Sequence, residues 1–117
     1  MAKLLLTISE RHRLLTILND FKGNLDTLAV ILEDVKKIRI EDDEWTKAER
    51  VITKVKDETG KEVEQWNWQD EKAGEKEVEL EKDTTKFLKD SIAAKDKAGE
   101  ITVADVILIS INKKLNS

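Results

Sequence analysis

Carboxylates are the most abundant side chains in this sequence that could carry chemistry. Four consecutive acids occupy 41–44, and Glu77, Glu79 and Glu81 alternate along a later segment. Because alternate residues of a strand point to one side of a sheet, the later set could bind a divalent cation. The alternative is that the first set stabilises a helix N-terminus and the second protects an edge strand by its charge. We favour the alternative and predict no catalytic residue, no metal ligand and no cofactor.

Other residue types that support catalysis are scarce. His12 is the only histidine, and without a partner at metal-binding spacing it is interpreted as an ordinary surface or boundary residue. The chain has no cysteine, which excludes disulfides, thiolate catalysis and cysteine-based zinc sites within it. Gly60 and Lys61 superficially resemble a phosphate loop, but Val55 replaces its first glycine and Glu62 its magnesium-binding hydroxyl. We therefore expect a protein that is not an enzyme.

Trp66 and Trp68 form the most unusual local feature, because they stand two residues apart in an acidic neighbourhood. Tryptophan is enriched at the energetic centres of protein interfaces. One interpretation makes both rings exposed anchors for a protein partner, with Trp45 and the acid Glu64 at the rim. The other makes them the apolar face of a hairpin that covers the helices. The sequence leaves both interpretations open.

Charge is concentrated in the middle of the chain. Residues 41–81 carry seven basic and fifteen acidic side chains, a net charge of −8, whereas the segments on either side are each +2. Binding to nucleic-acid phosphates requires clustered lysine and arginine. We therefore expect a protein partner and no nucleic acid.

Capping patterns and apolar spacing define the first two helices. Thr7 and Glu10 match a capping box, and the apolar positions that follow predict a helix that ends near Lys22, with Gly23 in the left-handed conformation. Apolar residues then repeat at intervals of three and four, which predicts a second helix over 25–38 capped by Asn24. The two helices form a helical hairpin over 7–39.

The middle third predicts mixed structure. A short helix is expected from Asp43 to about Arg50, followed by a β-hairpin over 51–69 with a turn at 57–60. A polar loop then leads to a third strand over 77–80, in which Val78 and Leu80 point inward.

The last third predicts two helices. Asp83 is expected to cap the first helix and Gly99 to end it, and Thr102 with Asp105 resembles a capping box for the second. The last helix is apolar nearly all round, which predicts that it is buried. It is either the central helix of the monomer or a homo-oligomer contact through Ile107 and Ile111.

Together these elements predict one domain over 1–117 with an α+β, mainly helical fold. We expect four to five helices packed around a small antiparallel sheet of two to three strands, arranged as segments 7–39, 41–81 and 83–115. The apolar stretch that opens the chain is shorter than a signal-peptide core, and no apolar run reaches the length of a membrane span. We therefore expect no membrane partner and a cytoplasmic location.

The order of several short motifs resembles small uncharacterised accessory proteins of tailed bacteriophages. The motifs are Thr7-Ile8-Ser9-Glu10-Arg11, Leu14 to Leu18, Gly23-Asn24, Thr27-Leu28, Glu41 to Glu44, Trp66 to Trp68, Val78-Glu79-Leu80 and Ile101-Thr102. The resemblance implies a non-enzymatic protein–protein interaction module, such as an inhibitor or modulator of a host or defence protein. It also admits a minor virion structural or assembly protein, and a metal-dependent hydrolase is the third alternative.

Overall fold

The computed structural model describes residues 2–116 and places a two-stranded sheet in the core. Strand β1 (Ala2–Leu6) pairs antiparallel with β4 (Lys76–Leu80), with Leu4 opposite Val78. Leu4, Leu6, Val78 and Leu80 are buried, which confirms that Val78 and Leu80 point inward. Strand β1 was not predicted, because its strand partner lies at the far end of the middle segment.

Four long helices pack on this sheet and on one another: α1 (Ile8–Leu18), α2 (Leu25–Ile38), α5 (Lys82–Lys97) and α6 (Ile107–Leu115). The α+β, mainly helical class is confirmed. The residues described contain six α-helices and two separate two-stranded sheets, where one sheet and four to five helices were predicted. No helix among residues 2–116 is both long enough and apolar enough to cross a membrane.

The predicted caps of α1 and α2 are confirmed. The Glu10 N–H donates to the Thr7 hydroxyl at 3.1 Å while the Thr7 N–H donates to the Glu10 carboxylate at 3.0 Å. The Thr27 N–H donates to the Asn24 side chain at 2.8 Å. These contacts satisfy N–H groups that the first turn of a helix otherwise leaves unpaired.

The predicted end of α1 is wrong, because the helix ends at Leu18 and Gly23 does not adopt a positive φ. The ring of Phe21 folds back over this glycine and packs at 5.1 Å against Phe87. A Cβ atom at position 23 would lie 2.5 Å from the Phe21 ring. The glycine leaves room for the Phe21 ring in this position, and its backbone conformation does not require a glycine.

The C-terminal helices begin at different residues from those predicted. Glu81 occupies the N-cap of α5 and Asp83 lies in its first turn, whereas Gly99 ends the helix at φ 69° as expected. Thr102 and Asp105 do form a capping box, but it caps a 3-10 turn at Val103–Asp105 that precedes α6. The tighter turn shifts the phase of the following residues.

The middle segment contains α3 (Asp42–Lys47), β2 (Val51–Lys56), β3 (Glu62–Asn67) and a short helix α4 (Asp70–Ala73). The β2–β3 hairpin is confirmed, while α4 occupies part of the predicted polar loop. The third predicted strand does not join the hairpin in one sheet, because β4 pairs with β1 and makes no ladder with β2 or β3.

A buried arginine ties α1 to the middle segment. Arg11 is 1% exposed, and its guanidinium donates to the Ile38 carbonyl at 2.9 Å, to the Arg39 carbonyl and to the Glu44 carboxylate. The hydrogen bond from Arg11 lowers the pKa of Glu44 from its ordinary value. A buried guanidinium with all these acceptors fixes where α3 lies against the body of the protein.

Candidate protein-binding site

The three tryptophans form one cluster, with Trp45 at its centre. The Trp45 ring lies 5.7 Å from Trp66 and 5.1 Å from Trp68, both in edge-to-face geometry. Trp45 is only 8% exposed, so its predicted place at the rim is wrong. Its neighbours in a small second core are Ile8 and Ala48.

The end of α3 brings these rings together. After Ala48 the chain turns at Glu49, which adopts φ 55°, and β2 begins two residues later. The Gln69 N–H donates to the Ala48 carbonyl at 2.8 Å, so the two ends of the hairpin are joined at its base. Trp66 and Trp68 both lie within three residues of this junction, and both rings contact Trp45.

Trp68 is fixed to the body of the protein. Its indole N–H lies 2.9 Å from both the Ser9 hydroxyl and the Asp70 carboxylate, and the same carboxylate accepts from the Ser9 N–H at 3.0 Å. The ring is half-buried and lies 5.5 Å from His12, an exposed residue of α1. Trp68 thus covers a helix, as the second interpretation of the pair expected.

Trp66 has the opposite environment. It is 40% exposed, and its indole N–H donates to the Glu64 carboxylate at 3.3 Å. The guanidinium of Arg50 lies 4.8 Å from the Trp66 ring and 5.2 Å from that of Trp45. An exposed aromatic ring beside a cation suits recognition of another protein, since tryptophan and arginine dominate interface energetics.

The hairpin that carries Trp66 is exposed on both sides. All residues of β2 and β3 are exposed, so the hairpin does not cover the helices as the second interpretation required. The register pairs Lys54 with Glu64 and Lys56 with Glu62. Together with the Ile52–Trp66 pair these form what we call the charged face.

The opposite side of the hairpin carries no charge, and we call it the uncharged face. It consists of Val51, Thr53, Val55, Val63, Gln65 and Asn67. Val51 is 54% exposed, Val55 39% and Val63 37%. This surface was not predicted from the sequence, although the spacing of the three valines in the predicted hairpin was a signal for it.

A second exposed apolar surface lies at the start of α6, and we call it the C-terminal patch. Its most exposed members are Val103 at 94%, Val106 at 65% and Ile109 at 60%. The predicted oligomer contacts lie elsewhere: Ile111 is 1% exposed in the core, and Ile107 packs partly against that core. The 3-10 turn sets this phase, so α6 is buried on one face only.

The carboxylates of the predicted third strand do not converge. Strand β4 ends at Leu80, so Glu81 leaves the ladder for the N-cap of α5, and Glu77 remains exposed on the strand. Within residues 2–116 no group of three histidine, aspartate or glutamate side chains is placed to hold a metal ion.

The most buried acid in α1 serves a structural role. The Glu10 carboxylate accepts from the Ser110 hydroxyl at 2.7 Å and from the Lys114 ammonium at 2.6 Å. Lys114 also donates to the Leu5 carbonyl at 2.6 Å and to Glu75 at 2.9 Å. This network joins the last helix to α1 and to the edge of β1.

Comparison of the chain with protein-family models, with curated proteins and with solved structures gave no match. The resemblance to phage proteins stays a prediction.

Proposed function

We propose that this protein is a non-enzymatic protein–protein interaction module that binds its partner through the β2–β3 hairpin and Trp66. The observation that carries the proposal is the exposure of every residue in both strands. A two-stranded hairpin without a buried face is at best marginally stable in water. A partner that covers the hairpin would stabilise it and bury the apolar side chains that it now exposes.

Trp66 and Arg50 are the proposed anchors. A partner that buries the exposed part of Trp66 would also desolvate the neighbouring guanidinium, which strengthens their mutual attraction. Glu64 positions the indole ring through its hydrogen bond. Trp45 packs against both Trp66 and Trp68. Neither Trp45 nor Trp68 is proposed to contact the partner.

Affinity capture with the wild type and two variants tests the proposal. We expect Trp66→Ala to lose proteins that the wild type retains from a bacterial lysate, because truncation of a central interface tryptophan costs at least about 2 kcal/mol. Leu25→Ala is the matched control, since Leu25 is an exposed apolar residue, 82% accessible, on α2 away from the hairpin. Equal capture by Trp66→Ala and the wild type would reject the hairpin as the binding surface.

We further propose, from the resemblance to phage proteins, that the partner is a host or defence protein and that binding inhibits or modulates it in the host cytoplasm. On the charged face of the hairpin each lysine of β2 lies opposite a glutamate of β3, so the two basic side chains are balanced by two acids. This arrangement favours a protein partner over nucleic acid.

The C-terminal patch favours a second candidate function, that of a minor virion structural or assembly protein. Val103, Val106 and Ile109 form an exposed apolar surface that a second copy would cover. Sedimentation of the wild type and of Val106→Ser with Ile109→Ser separates the candidates. A multimer that the double substitution dissociates supports the assembly role, and a monomer in both samples removes it.

A further inference from the structure

The outer edge of β2 has backbone groups that point away from the hairpin. At the end of the ladder the Asp57 N–H donates to the Lys61 carbonyl at 2.9 Å. Hydrogen-bonded and non-hydrogen-bonded pairs alternate in an antiparallel ladder. The backbone N–H and C=O groups of Val55 and Thr53 therefore point toward β3. The N–H and C=O groups of Ile52, Lys54 and Lys56 therefore point outward, and no hydrogen bond joins them to other residues within 2–116.

The core sheet shows how this fold closes an edge. On β1 the Leu5 carbonyl accepts from Lys114 at 2.6 Å, and on β4 the Glu79 carbonyl accepts from Lys37 at 3.1 Å. The helices α6 and α2, which carry these lysines, pack beside the two strands. Within residues 2–116 no helix packs as closely beside either strand of the hairpin, so its edges are open for pairing with another chain.

The side chains of β2 define what a third strand beside it would need. Lys54 and Lys56 lie on the charged face, so cross-strand neighbours at two alternate positions would be acidic. Val51 and Val55 lie on the uncharged face, so the intervening positions would be apolar. Strand β3 already satisfies this pattern on the inner side, where Glu62 and Glu64 face the two lysines.

The two outer edges are not equivalent. The edge of β2 carries two valines on the uncharged face, whereas β3 carries only Val63 there, so a strand beside β2 buries more apolar area. On β3, the Glu64 carboxylate is already bound by the indole of Trp66.

We propose that β2 binds an extended segment of the partner protein, which joins the hairpin as a third strand and alternates acidic with apolar residues. This inference rests on the proposed interaction function and names the chemistry of its partner. The main-chain hydrogen bonds of the added strand supply affinity, and the alternation selects the segment.

A direct test uses a short blocked peptide that alternates glutamate with valine. We expect it to shift the amide resonances of Ile52, Lys54 and Lys56 in the isotope-labelled protein. A peptide that alternates lysine with valine should bind at least about fivefold more weakly, because it places like charges opposite each other. Equal binding of the two peptides, or shifts confined to β3, would overturn the proposal.

A matched pair of proline variants tests the edge itself. Lys54→Pro and Glu62→Pro replace one residue in each strand whose N–H group points outward, so each leaves the inner ladder intact. Lys54→Pro should weaken binding of the acidic peptide by at least about fivefold, the value of one lost hydrogen bond, and Glu62→Pro should not. An effect of Glu62→Pro alone would assign the added strand to β3 and contradict the proposal.

Charge reversal provides a test that does not alter the backbone. Lys54→Glu with Lys56→Glu should invert the preference, so that the lysine–valine peptide binds more tightly than the glutamate–valine peptide. An unchanged preference would overturn the proposal even if a proline variant fails to fold.

Two further outcomes are distinct. Concentration-dependent self-association lost in Lys54→Pro would show that a second copy of this chain occupies the edge, and would overturn the assignment to a partner segment. If Trp66→Ala loses its captured proteins while Lys54→Pro retains them, the interaction function stands and the third-strand inference fails.

Discussion

The two sheets of this protein are both two-stranded and antiparallel, yet one is buried in the core and the other is exposed. The β1–β4 sheet places Leu4, Leu6, Val78 and Leu80 on one face, which the helices bury, and leaves Leu5 exposed on the other face. The hairpin divides its apolar residues between both faces, so no single packing surface could bury them. The distribution of side chains between faces, more than strand propensity, separates a core sheet from one available to a partner.

The two sheets also differ in whether the backbone groups at their outer edges are hydrogen-bonded. Lys114 and Lys37 bind outward carbonyls of the core sheet, whereas the corresponding groups of β2 have no partner within residues 2–116. Closed edges accompany a structural role, and open edges accompany the proposed binding role.

The largest expected effect comes from truncation of matched residues in the two sheets. Leu80→Ala should lower the free energy of unfolding by about 3 kcal/mol, because Leu80 is fully buried and leaves a cavity. Val63→Ala in the exposed hairpin should lower it by less than about 1 kcal/mol. Urea denaturation of both variants measures the difference. Similar losses would mean that the hairpin is packed as tightly as the core sheet.

A smaller effect should separate the two tryptophans at the hairpin base. Trp68→Ala should lower the free energy of unfolding by about 2 kcal/mol, because it removes a half-buried ring and its hydrogen bonds to Ser9 and Asp70. Trp66→Ala should lower the free energy of unfolding by less than about 1 kcal/mol. The same substitution should weaken binding of the partner. Thermal unfolding followed by circular dichroism measures the stabilities. A larger loss for Trp66→Ala would reverse the roles assigned to the two rings.

The smallest expected effect is the pH dependence of the network at the edge of the core sheet. Burial raises the pKa of Glu10, but hydrogen bonds from Lys114, the Thr7 N–H and Ser110 outweigh it and hold the pKa below 4.5. The unfolded chain therefore takes up this proton at a higher pH than the folded protein does. The ionised Glu10 carboxylate therefore stabilises the fold fully above pH 4.5, and this stabilisation is lost as the pH falls through the lowered pKa of the folded state.

We therefore expect the urea midpoint to fall on acidification from about pH 7 to about pH 3 and to fall less steeply in Glu10→Gln. Glu44 also has a lowered pKa, so that variant should retain part of the slope. Glu33→Gln, which alters an exposed pair on α2, is the control and should match the wild type. A Glu10→Gln slope equal to that of the wild type would contradict the assignment.

Local signals in the sequence predicted what local contacts determine. Three of these features depend on residues within a few positions of one another, so the sequence pattern alone predicts them. They are the caps at Thr7 and Asn24 and the hairpin turn at 57–60. Strand β1 was missed because a five-residue strand becomes stable only when it meets β4, which the chain reaches much later. Gly23 was misread because the chain there follows the packing of the Phe21 ring against Phe87, which lies far away in the sequence.

The candidate site was predicted in part. The sequence singled out Trp45, Trp66 and Trp68, and the structure brings them together, but their exposure depends on contacts that no local pattern reveals. Trp68 is held by Ser9, which lies far away in the sequence, and Trp45 is covered by both other rings. Ile111 was misassigned because the phase of α6 depends on the preceding 3-10 turn.

The turn at the tip of the hairpin offers a practical route for spectroscopy. Asp57 accepts from the Thr59 N–H, the Thr59 hydroxyl and the Lys61 N–H, so the loop has a defined conformation without using the side chain of Glu58. The chain contains no cysteine, and Glu58 is exposed. A cysteine substituted for Glu58 would be its only thiol, and a fluorophore attached there would report on the hairpin in real time.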